Sequence, residues 1–413
     1  MGSLSGGLFA QANTRTLFFA RTVEKAKEGI ENAVGQARSD VLREFLEPYA
    51  YSDLEKELPD TDWVFEGLGE NMDLKTEYYA ILDKHRKPGS IISTVSSGLS
   101  IEAMAEGQSD DFKAHFMGTH FYNPPSKLTA NELIFHPTNA QELRDFVANY
   151  CDKTLGRTNI ETLNVAAFAG NRIGFQLLNE AAILASKHGV EKIDYLIGPY
   201  TGRALPPLAT IDLVGLDVHK AIVENVYDKV SDERKESYKM PDYMQKMMDN
   251  GQYGSKTRDK GGFYKRTADK KKFALNPATL EYIELQKTKV EFVEEIKAYF
   301  ADGKYANAIE ILKNAKGEDA NIVRHFILGY VSYSFHRIGE VTPENDGIDG
   351  IDRVMSSGFS WLPASGWIDL FGGPKATIAL IEAAKLPVPA SLKALPEEKI
   401  CKINEVTRFL NGR

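Results

Sequence analysis

Helical and strand-like patterns alternate over roughly the first 160 residues, and this alternation limits the possible folds more than any other feature of the chain. The run VEKAKEGIENAVGQARSDVLREFL has apolar residues three and four positions apart, as in an amphipathic helix. A short apolar strand (DTDWVFEGL), a second helical run (DLKTEYYAILDKHRKP) and a β-branched strand (GSIISTVSS) follow. This order predicts a parallel sheet covered by helices.

The chain has 413 residues, which is enough for two or three domains at about 150 residues each. From ETLNVAAFAGNRIG onwards the pattern is helical, and Gly189 is a candidate helix stop. Farther on, glycines give way to the charged run KRTADKKK, which we interpret as a solvated linker, with a basic ligand patch as the alternative. We therefore predict an α/β domain over residues 1–163 and helical domains over 164–266 and 267–413.

An internal repeat connects the two helical regions. The segment IDYLIGPYTGRALPPLATIDLVGLD (193–217) matches IDRVMSSGFSWLPASGWIDLFGGPK (351–375) in its two Ile-Asp pairs. The pairs lie 18 residues apart in the first copy and 17 in the second. Chance similarity is the alternative, but this spacing predicts two all-α domains related by duplication.

Composition excludes several classes of function. A formal charge of −8 argues against general nucleic-acid binding, although a local basic pocket for an anionic ligand stays open. No stretch approaches the roughly 18 apolar residues of a membrane span, and the N-terminus lacks the pattern of a secretory signal. Cys151 and Cys401 are too few for a disulfide framework or a metal cluster, which favours a reducing, cytoplasmic setting.

Candidate chemical groups concentrate between residues 94 and 175. In MGTHFYNPPSK, His120 lies where a strand gives way to a loop, and Glu132 follows twelve residues later. A carboxylate beside a histidine fixes the tautomer of the ring and raises its basicity, as proton transfer near neutral pH requires. Ser96 in STVSSG and Asn171 in GNRIG offer polar groups for a substrate oxygen.

Each of these residues also has a plainer interpretation. On the residues alone, His120 is a packing histidine, Glu132 a solvated charge, Ser96 a turn residue and Asn171 a helix cap.

Several motifs together resemble those of the L-3-hydroxyacyl-CoA dehydrogenase family. STVSSGLSIEAMA, GTHFYNPP, GNRIGFQLLNEA and IDLVGLD occur in that family's order, and the similarity runs from about residue 16 to residue 266. The repeat at 351–375 resembles the second helical domain of the longer, multifunctional members. The resemblance implies that a (3S)-3-hydroxyacyl-CoA is oxidised to the 3-ketoacyl-CoA, with hydride passing to NAD, in fatty-acid beta-oxidation.

The resemblance also implies roles for residues of this chain. His120 matches the general acid/base and Glu132 the residue that orients it. Ser96 and Asn171 match groups that contact substrate and cofactor, and Asn123 matches a position beside the nicotinamide.

On the cofactor side, Glu70 and Lys75 match the family's positions in GENMDLK. Arg21 stands where NAD-specific members have an acid, so it is either a surface charge or a partner for the 2′-phosphate of NADP.

The beginning of the chain departs from the family pattern. The family's dinucleotide site is a strand, a G-x-G-x-x-G turn and a helix that together hold the pyrophosphate. MGSLSGGLFAQ resembles only the end of that turn and the helix. The predicted fold is therefore a Rossmann-like parallel sheet lacking its first strand, in an incomplete dinucleotide-binding domain, followed by two all-α domains related by duplication.

Three interpretations of this departure stay open. The chain is an incomplete copy of an ordinary dehydrogenase, a short form that uses NAD poorly, or a non-catalytic acyl-CoA-binding or scaffolding relative that partners an enoyl-CoA hydratase. A sugar-acid dehydrogenase on the same fold is a further alternative. The expected partners are an acyl-CoA substrate and a second copy in a homodimer.

Overall fold

The computed structural model describes residues 1–410, which form two compact units. The first unit comprises residues 1–169 with 341–343, and the second comprises residues 170–340 with those from 344 onwards. The boundary between them lies six residues beyond the predicted one at 163.

The first unit alternates strands and helices as the sequence predicts. Its strands are β1 (Thr16–Ala20), β2 (Leu46–Ala50), β3 (Trp63–Glu66), β4 (Ile91–Thr94), β5 (Phe116–Phe121), β6 (Ala130–Phe135) and β7 (Thr158–Glu161). Its helices are α1 (Gly2–Gln11), α2 (Val23–Ala37), α3 (Leu54–Glu57), α4 (Met72–His85), α5 (Ile101–Ala105), α6 (Asp110–His115) and α7 (Gln141–Asn149).

Two sheets lie in this unit. β1 and β2 form a parallel pair, and β3-β4-β5-β6-β7 form a five-stranded sheet in that order. Every pair of neighbours in the larger sheet is parallel except β5 and β6, which are antiparallel. The ends of β3, β4 and β5 therefore meet at one edge of the sheet, where an open α/β fold places its ligands.

Both faces of the larger sheet are covered. Ile92, Phe116 and Ile134 lie in one hydrophobic cluster, whereas their chain neighbours Ile91, Met117 and Leu133 lie in another. Successive side chains of a strand point to opposite faces, so adjacent apolar residues supply two separate cores. A strand that is buried on both faces explains why these segments are continuous apolar runs.

Local capping determines where the helices on this sheet begin. The Thr22 hydroxyl accepts the Lys25 N–H at the start of α2, and the Asn71 side chain accepts the Leu74 N–H at the start of α4, at 2.8 Å. Each cap pairs one of the N–H groups that a helix start leaves without a partner, and so stabilises that start by about 1 kcal/mol.

The second unit is mostly helical. Its helices are α8 (Gly170–His188), α9 (Val190–Leu196), α10 (Pro207–Val214), α11 (Leu216–Lys229), α12 (Asp242–Asp249), α13 (Glu291–Ala301), α14 (Tyr305–Asn314), α15 (Glu318–His336), α16 (Ile348–Gly358), α17 (Ala364–Phe371), α18 (Pro374–Ala383) and α19 (Ala390–Lys393). α8 ends one residue before Gly189, whose φ of 85° is the left-handed conformation that favours glycine. None of the helices in residues 1–410 is long and apolar enough to cross a membrane.

The expectation of helix from residue 267 onwards needs correction. The unit contains an antiparallel sheet of β8 (Tyr264–Arg266), β9 (Lys272–Leu275) and β10 (Tyr282–Glu284). The charged run KRTADKKK forms the β8–β9 hairpin, so the predicted boundary at 266/267 falls at the end of β8, within that hairpin. Its lysines cover aromatic rings, with Lys272 Nζ at 4.1 Å from the centre of the Tyr264 ring. Such cross-strand contacts offset the low strand propensity of lysine.

Candidate active site

The pairing of β5 with β6 brings His120 and Glu132 together. The antiparallel register places these two residues directly opposite each other. Residues opposite each other in such a pair have Cβ atoms about 5 Å apart on the same face, within reach of a hydrogen bond between side chains. The twelve residues from His120 to Glu132 thus span the end of β5, the loop that follows it and the start of β6.

The two side chains form a short hydrogen bond. His120 Nδ1 lies 2.6 Å from Glu132 Oε2, and both residues are buried. With Nδ1 donating to the carboxylate, Nε2 is the ring nitrogen that can exchange a proton with another molecule. The completely buried carboxylate also stabilises the imidazolium that forms when Nε2 takes a proton.

Two further groups hold the Glu132 carboxylate. The Tyr122 hydroxyl donates to Oε2 at 2.9 Å, and the Ala169 N–H donates to Oε1 at 2.9 Å. Ala167 and Phe168, with φ of 62° and 51°, form a left-handed turn directly before Ala169. Non-glycine residues adopt this conformation at an energetic cost, which is common near functional sites.

Neither Tyr122 nor Ala169 was predicted from the sequence as a site residue. The position of Tyr122, two residues after His120, could have pointed to it, because alternate side chains of an extended chain lie on the same side. No sequence signal pointed to Ala169, which lies 37 residues beyond Glu132 along the chain.

A second cluster lies at the ends of β3 and β4. The Ser96 hydroxyl donates to Glu70 Oε2 at 2.5 Å, and the Ser97 N–H and hydroxyl contact Glu70 Oε1 at 2.6 and 3.1 Å. The structure therefore brings together two predicted site residues, Ser96 and Glu70, which are 26 residues apart in the sequence. The Ser97 hydroxyl is a second candidate for the role that the resemblance assigns to Ser96.

Lys75 lies in a buried ion pair behind this cluster. Its Nζ contacts both oxygens of Glu66, at 2.9 and 2.7 Å, and the lysine is completely buried. The hydroxyl groups of Tyr79 and Thr94 donate hydrogen bonds to the same carboxylate, at 2.6 and 2.7 Å. The sequence predicts contact of Lys75 with the cofactor, whereas its contacts here fix Glu66, the last residue of β3.

The remaining predicted residues lie at ends of elements. Arg21 is exposed and directly follows β1, and Asn123 is exposed in the loop after β5. Asn171 belongs to the second unit, where it is the second residue of α8 and is buried. Its contact with substrate or cofactor, which the family resemblance implies, stays a prediction.

The start of α1 has features that suit a dinucleotide phosphate. A Cβ atom on Gly67, directly after β3, would lie 3.0 Å from the Gly2 Cα, so the two backbones approach with no side chain between them. The first turn of α1 contains no acidic residue. Helix N-termini attract anions through their unpaired N–H groups and the helix dipole. Gly2, Gly67 and the first turn of α1 would therefore hold the pyrophosphate of NAD.

The sequence matches two families of domains. Residues 1–165 match the NAD binding domain of 3-hydroxyacyl-CoA dehydrogenase, and residues 168–266 match the C-terminal domain of the same enzyme family.

Among relatives, the chain is 32% identical over 256 residues to a probable 3-hydroxyacyl-CoA dehydrogenase of Bacillus subtilis (strain 168), a match that covers 56% of this chain and 32% of that protein. It is 33% identical over 238 residues to a protein of the same name from Deinococcus radiodurans, covering 55% of this chain and 68% of that one. The chain thus spans about a third of the length of the first relative and two thirds of the second.

The fold is similar to that of a solved structure, the 3-hydroxybutyryl-CoA dehydrogenase of Escherichia coli K12. The TM-score is 0.69 at 16% identity, over 92% of this chain and 91% of that chain. At this identity the likeness concerns the fold, which is a Rossmann-like domain followed by a helical part. The domain matches, together with the paired His120 and Glu132, place this chain in the 3-hydroxyacyl-CoA dehydrogenase family, with an NAD-binding domain as its first part.

Proposed function

We propose that this chain oxidises (3S)-3-hydroxyacyl-CoA thioesters to 3-ketoacyl-CoA thioesters with NAD as the hydride acceptor, in fatty-acid beta-oxidation. The observation that carries the proposal is the 2.6 Å contact of His120 with Glu132 inside a domain of the NAD-binding type. A base poised in this way is what the removal of a proton from a hydroxyl group requires.

The roles of the chain's own groups follow from that contact. Nε2 of His120 accepts the proton of the substrate's 3-hydroxyl, and Glu132 stabilises the resulting imidazolium. NAD, when bound, would supply the acceptor for the hydride from C3, so that the proton taken by His120 and this hydride together account for the two electrons and two hydrogen atoms that the substrate loses. In the reverse direction the imidazolium returns its proton to the carbonyl oxygen.

The other predicted residues are proposed to bind and orient the reactants. Ser96, held by Glu70, and Asn171 would contact the substrate, and Asn123 would lie beside the nicotinamide. Lys75 is proposed to act through Glu66 rather than by touching the cofactor, because both charges are buried in their own ion pair.

Turnover of acetoacetyl-CoA tests this function directly. We expect the purified chain to oxidise NADH in the presence of acetoacetyl-CoA, and to use NADPH more slowly, as followed by the loss of nicotinamide absorbance. Binding of acetoacetyl-CoA without turnover would contradict the proposal and favour a non-catalytic acyl-CoA-binding relative.

Arg21 is proposed to lie beside the adenosine ribose of the cofactor, because it follows β1 at the carboxyl end of the strand. Replacing it with aspartate (Arg21→Asp) is expected to tighten NADH binding by about two- to tenfold, because the new carboxylate can accept hydrogen bonds from the hydroxyl groups of the adenosine ribose. The same change should weaken NADPH binding. Calorimetric titration with each cofactor measures both effects.

A matched control makes the same change of charge nearby. Lys25→Asp replaces an exposed cation in the first turns of α2 and should leave the ratio of the two affinities unchanged. Equal effects of the two variants on that ratio would contradict the placement of Arg21.

We also propose that the two sheets of the first unit belong to one Rossmann-like sheet that lacks a strand between β1 and β3. The support is that β1 and β3 belong to separate sheets while α1 packs on both. A Cβ on Gly6 would lie 2.6 Å from the Phe18 ring of β1, and the Phe9 ring lies 5.4 Å from the Trp63 ring of β3.

A duplication within the second unit is proposed from the contacts of the repeated aspartates. Asp194 accepts the Leu208 N–H in the first turn of α10 at 2.8 Å, and Asp352 accepts the Ser365 N–H in the first turn of α17 at 3.4 Å. The aspartate of the second Ile-Asp pair in each copy also accepts backbone N–H groups. Asp212 accepts two consecutive N–H groups, those of residues 263 and 264, and Asp369 accepts those of residues 400 and 401.

The two copies also meet at equivalent positions. Arg203 and Trp361, each nine residues beyond the first aspartate of its copy, form an antiparallel bridge. Contact between equivalent residues is what a two-fold relation between two copies would produce. We accordingly keep helical domains over 164–266 and 267–413 as a proposal, with the hairpin at their junction.

The partners and the cellular location of the chain are further proposals. An acyl-CoA substrate follows from the proposed reaction. An enoyl-CoA hydratase partner and a homodimer rest on the family resemblance, and a cytoplasmic setting rests on two cysteines that are both free thiols.

A further inference from the structure

We propose that Tyr122 is a positioning residue that sets the proton affinity of the His120–Glu132 pair. This inference rests on the proposed function of that pair as the proton-transfer group. It adds a third side chain to the His120–Glu132 pair, one for which no role was predicted from the sequence.

Geometry places Tyr122 in contact with both partners. Its hydroxyl lies 2.9 Å from Glu132 Oε2, the same oxygen that His120 Nδ1 contacts at 2.6 Å. Its ring lies edge-on to the imidazole, with 5.1 Å between the ring centres. Both contacts follow from an extended chain, in which residues 120 and 122 point to the same side.

The hydroxyl is a permanent donor in this position. Burial and the adjacent Glu132 carboxylate raise the pKa of Tyr122 well above its ordinary value. The phenol therefore keeps its proton throughout the pH range in which a histidine titrates, and the bond to Glu132 does not switch off when His120 changes its charge.

Sharing one carboxylate oxygen has a direct effect on the histidine. A hydrogen bond to a carboxylate stabilises its negative charge and leaves less of that charge to attract the imidazolium. Without the Tyr122 hydroxyl, more of the negative charge of the Glu132 carboxylate would act on the imidazolium and favour it over the neutral ring. The Tyr122 hydroxyl opposes this effect, and this is the sense in which it would favour a base that can take the substrate's hydroxyl proton.

The side chains of Glu132, Tyr122 and Phe168 lie against the imidazole. Glu132 approaches from β6 and Tyr122 from the end of β5, and the Phe168 ring lies 5.8 Å away between ring centres. Of these, Glu132 and Tyr122 are titratable, and Tyr122 stays neutral. The proton affinity of His120 thus responds to the strength of the bond between the other two.

Removal of the hydroxyl group tests the proposal. In Tyr122→Phe, we expect the pH midpoint of the His120 titration to rise by about half a unit to one unit, since one charge-assisted bond to the carboxylate is lost. The midpoint is measured by nuclear magnetic resonance of protein labelled with ¹⁵N-histidine, and His120→Gln assigns the signal among the eight histidines. An unchanged or lower midpoint would overturn the proposal.

This measurement needs no turnover, so it separates the role of Tyr122 from the proposed function. If the chain is active, the acidic limb of kcat/KM for 3-hydroxybutyryl-CoA oxidation should move to higher pH by the same amount in Tyr122→Phe. Reduction of acetoacetyl-CoA, which needs the imidazolium, should persist to higher pH. A purely structural role would lower both rates at every pH and leave the limbs in place.

Two controls complete the test. Tyr49→Phe removes another hydroxyl that donates to a glutamate, Glu47 at 2.9 Å, and should not move the His120 midpoint. In a Glu132→Gln background, Tyr122→Phe should produce no further shift, because the shared carboxylate is absent.

A second variant covers the case in which Tyr122→Phe does not fold. Site-specific 3-fluorotyrosine at position 122 makes the phenol a stronger donor of nearly the same size, and it should lower the His120 midpoint. A rise in that variant would also overturn the proposal.

Discussion

Replacing His120 with glutamine is expected to lower kcat for acetoacetyl-CoA reduction by about 10²- to 10⁴-fold, the usual contribution of a positioned general acid/base. The side-chain amide of the introduced glutamine cannot act as an acid or a base near neutral pH, but it can still donate a hydrogen bond to the buried Glu132. Glutamine is preferable to alanine here because it leaves the carboxylate a partner and so limits the loss of stability.

Binding separates this chemical role from a structural one. The affinity of His120→Gln for acetoacetyl-CoA, measured by calorimetry, should stay within about threefold of the parent value. The contacts that bind the substrate before reaction do not depend on the proton that His120 transfers during it. His136→Gln is a matched control: His136 is also buried, and its Nδ1 contacts the Thr138 hydroxyl at 2.8 Å. Near-parental activity of His120→Gln would show that another group transfers the proton.

Replacing Lys75 with methionine is expected to destabilise the first unit by about 3–5 kcal/mol, because the change leaves Glu66 as an unpaired buried charge. Methionine has a similar length, so packing changes little. The cost therefore reports the loss of Nζ contacts at 2.7 and 2.9 Å. Hydrogen exchange in increasing urea, followed in peptides from β3, α4 and β4, measures the stability of this region separately from that of the second unit.

The double variant Glu66→Gln with Lys75→Met gives the matched comparison. With both charges removed, the Tyr79 and Thr94 hydroxyl groups still donate hydrogen bonds to the amide oxygen. Only part of the lost stability should return, because the amide NH2 group then faces the Leu68 N–H, which donates to Glu66 Oε1 in the parent. A single Lys75→Met variant within about 1 kcal/mol of the parent would mean that Glu66 finds another partner or takes up a proton.

Much of the first unit could be predicted from local patterns. Amphipathic spacing identified α2 and α4, and β-branched runs identified β4, because a helix or a buried strand imposes its period on neighbouring residues. The twelve-residue interval between His120 and Glu132 is likewise a local property, since one loop between two strands accounts for it. The motifs around these residues led to the family that the domain matches then identified.

Local patterns failed where partners are distant or the segment is short. β8, β9 and β10 have three or four residues each, too few for their alternation to stand out from a charged run. The burial of Lys75 depends on Glu66, Tyr79 and Thr94, which three different elements supply.

The sequence by itself determined the order of elements, the starts of the helices and the identity of the chemical groups, because propensity, capping and hydrophobic period act over a few residues. The tertiary structure alone decided which of those groups meet. The strand register placed His120 opposite Glu132, and the left-handed turn at residues 167–168 delivered the Ala169 N–H to the same carboxylate. These contacts join residues up to 37 positions apart, and their geometry depends on how strands pair and pack rather than on any local preference.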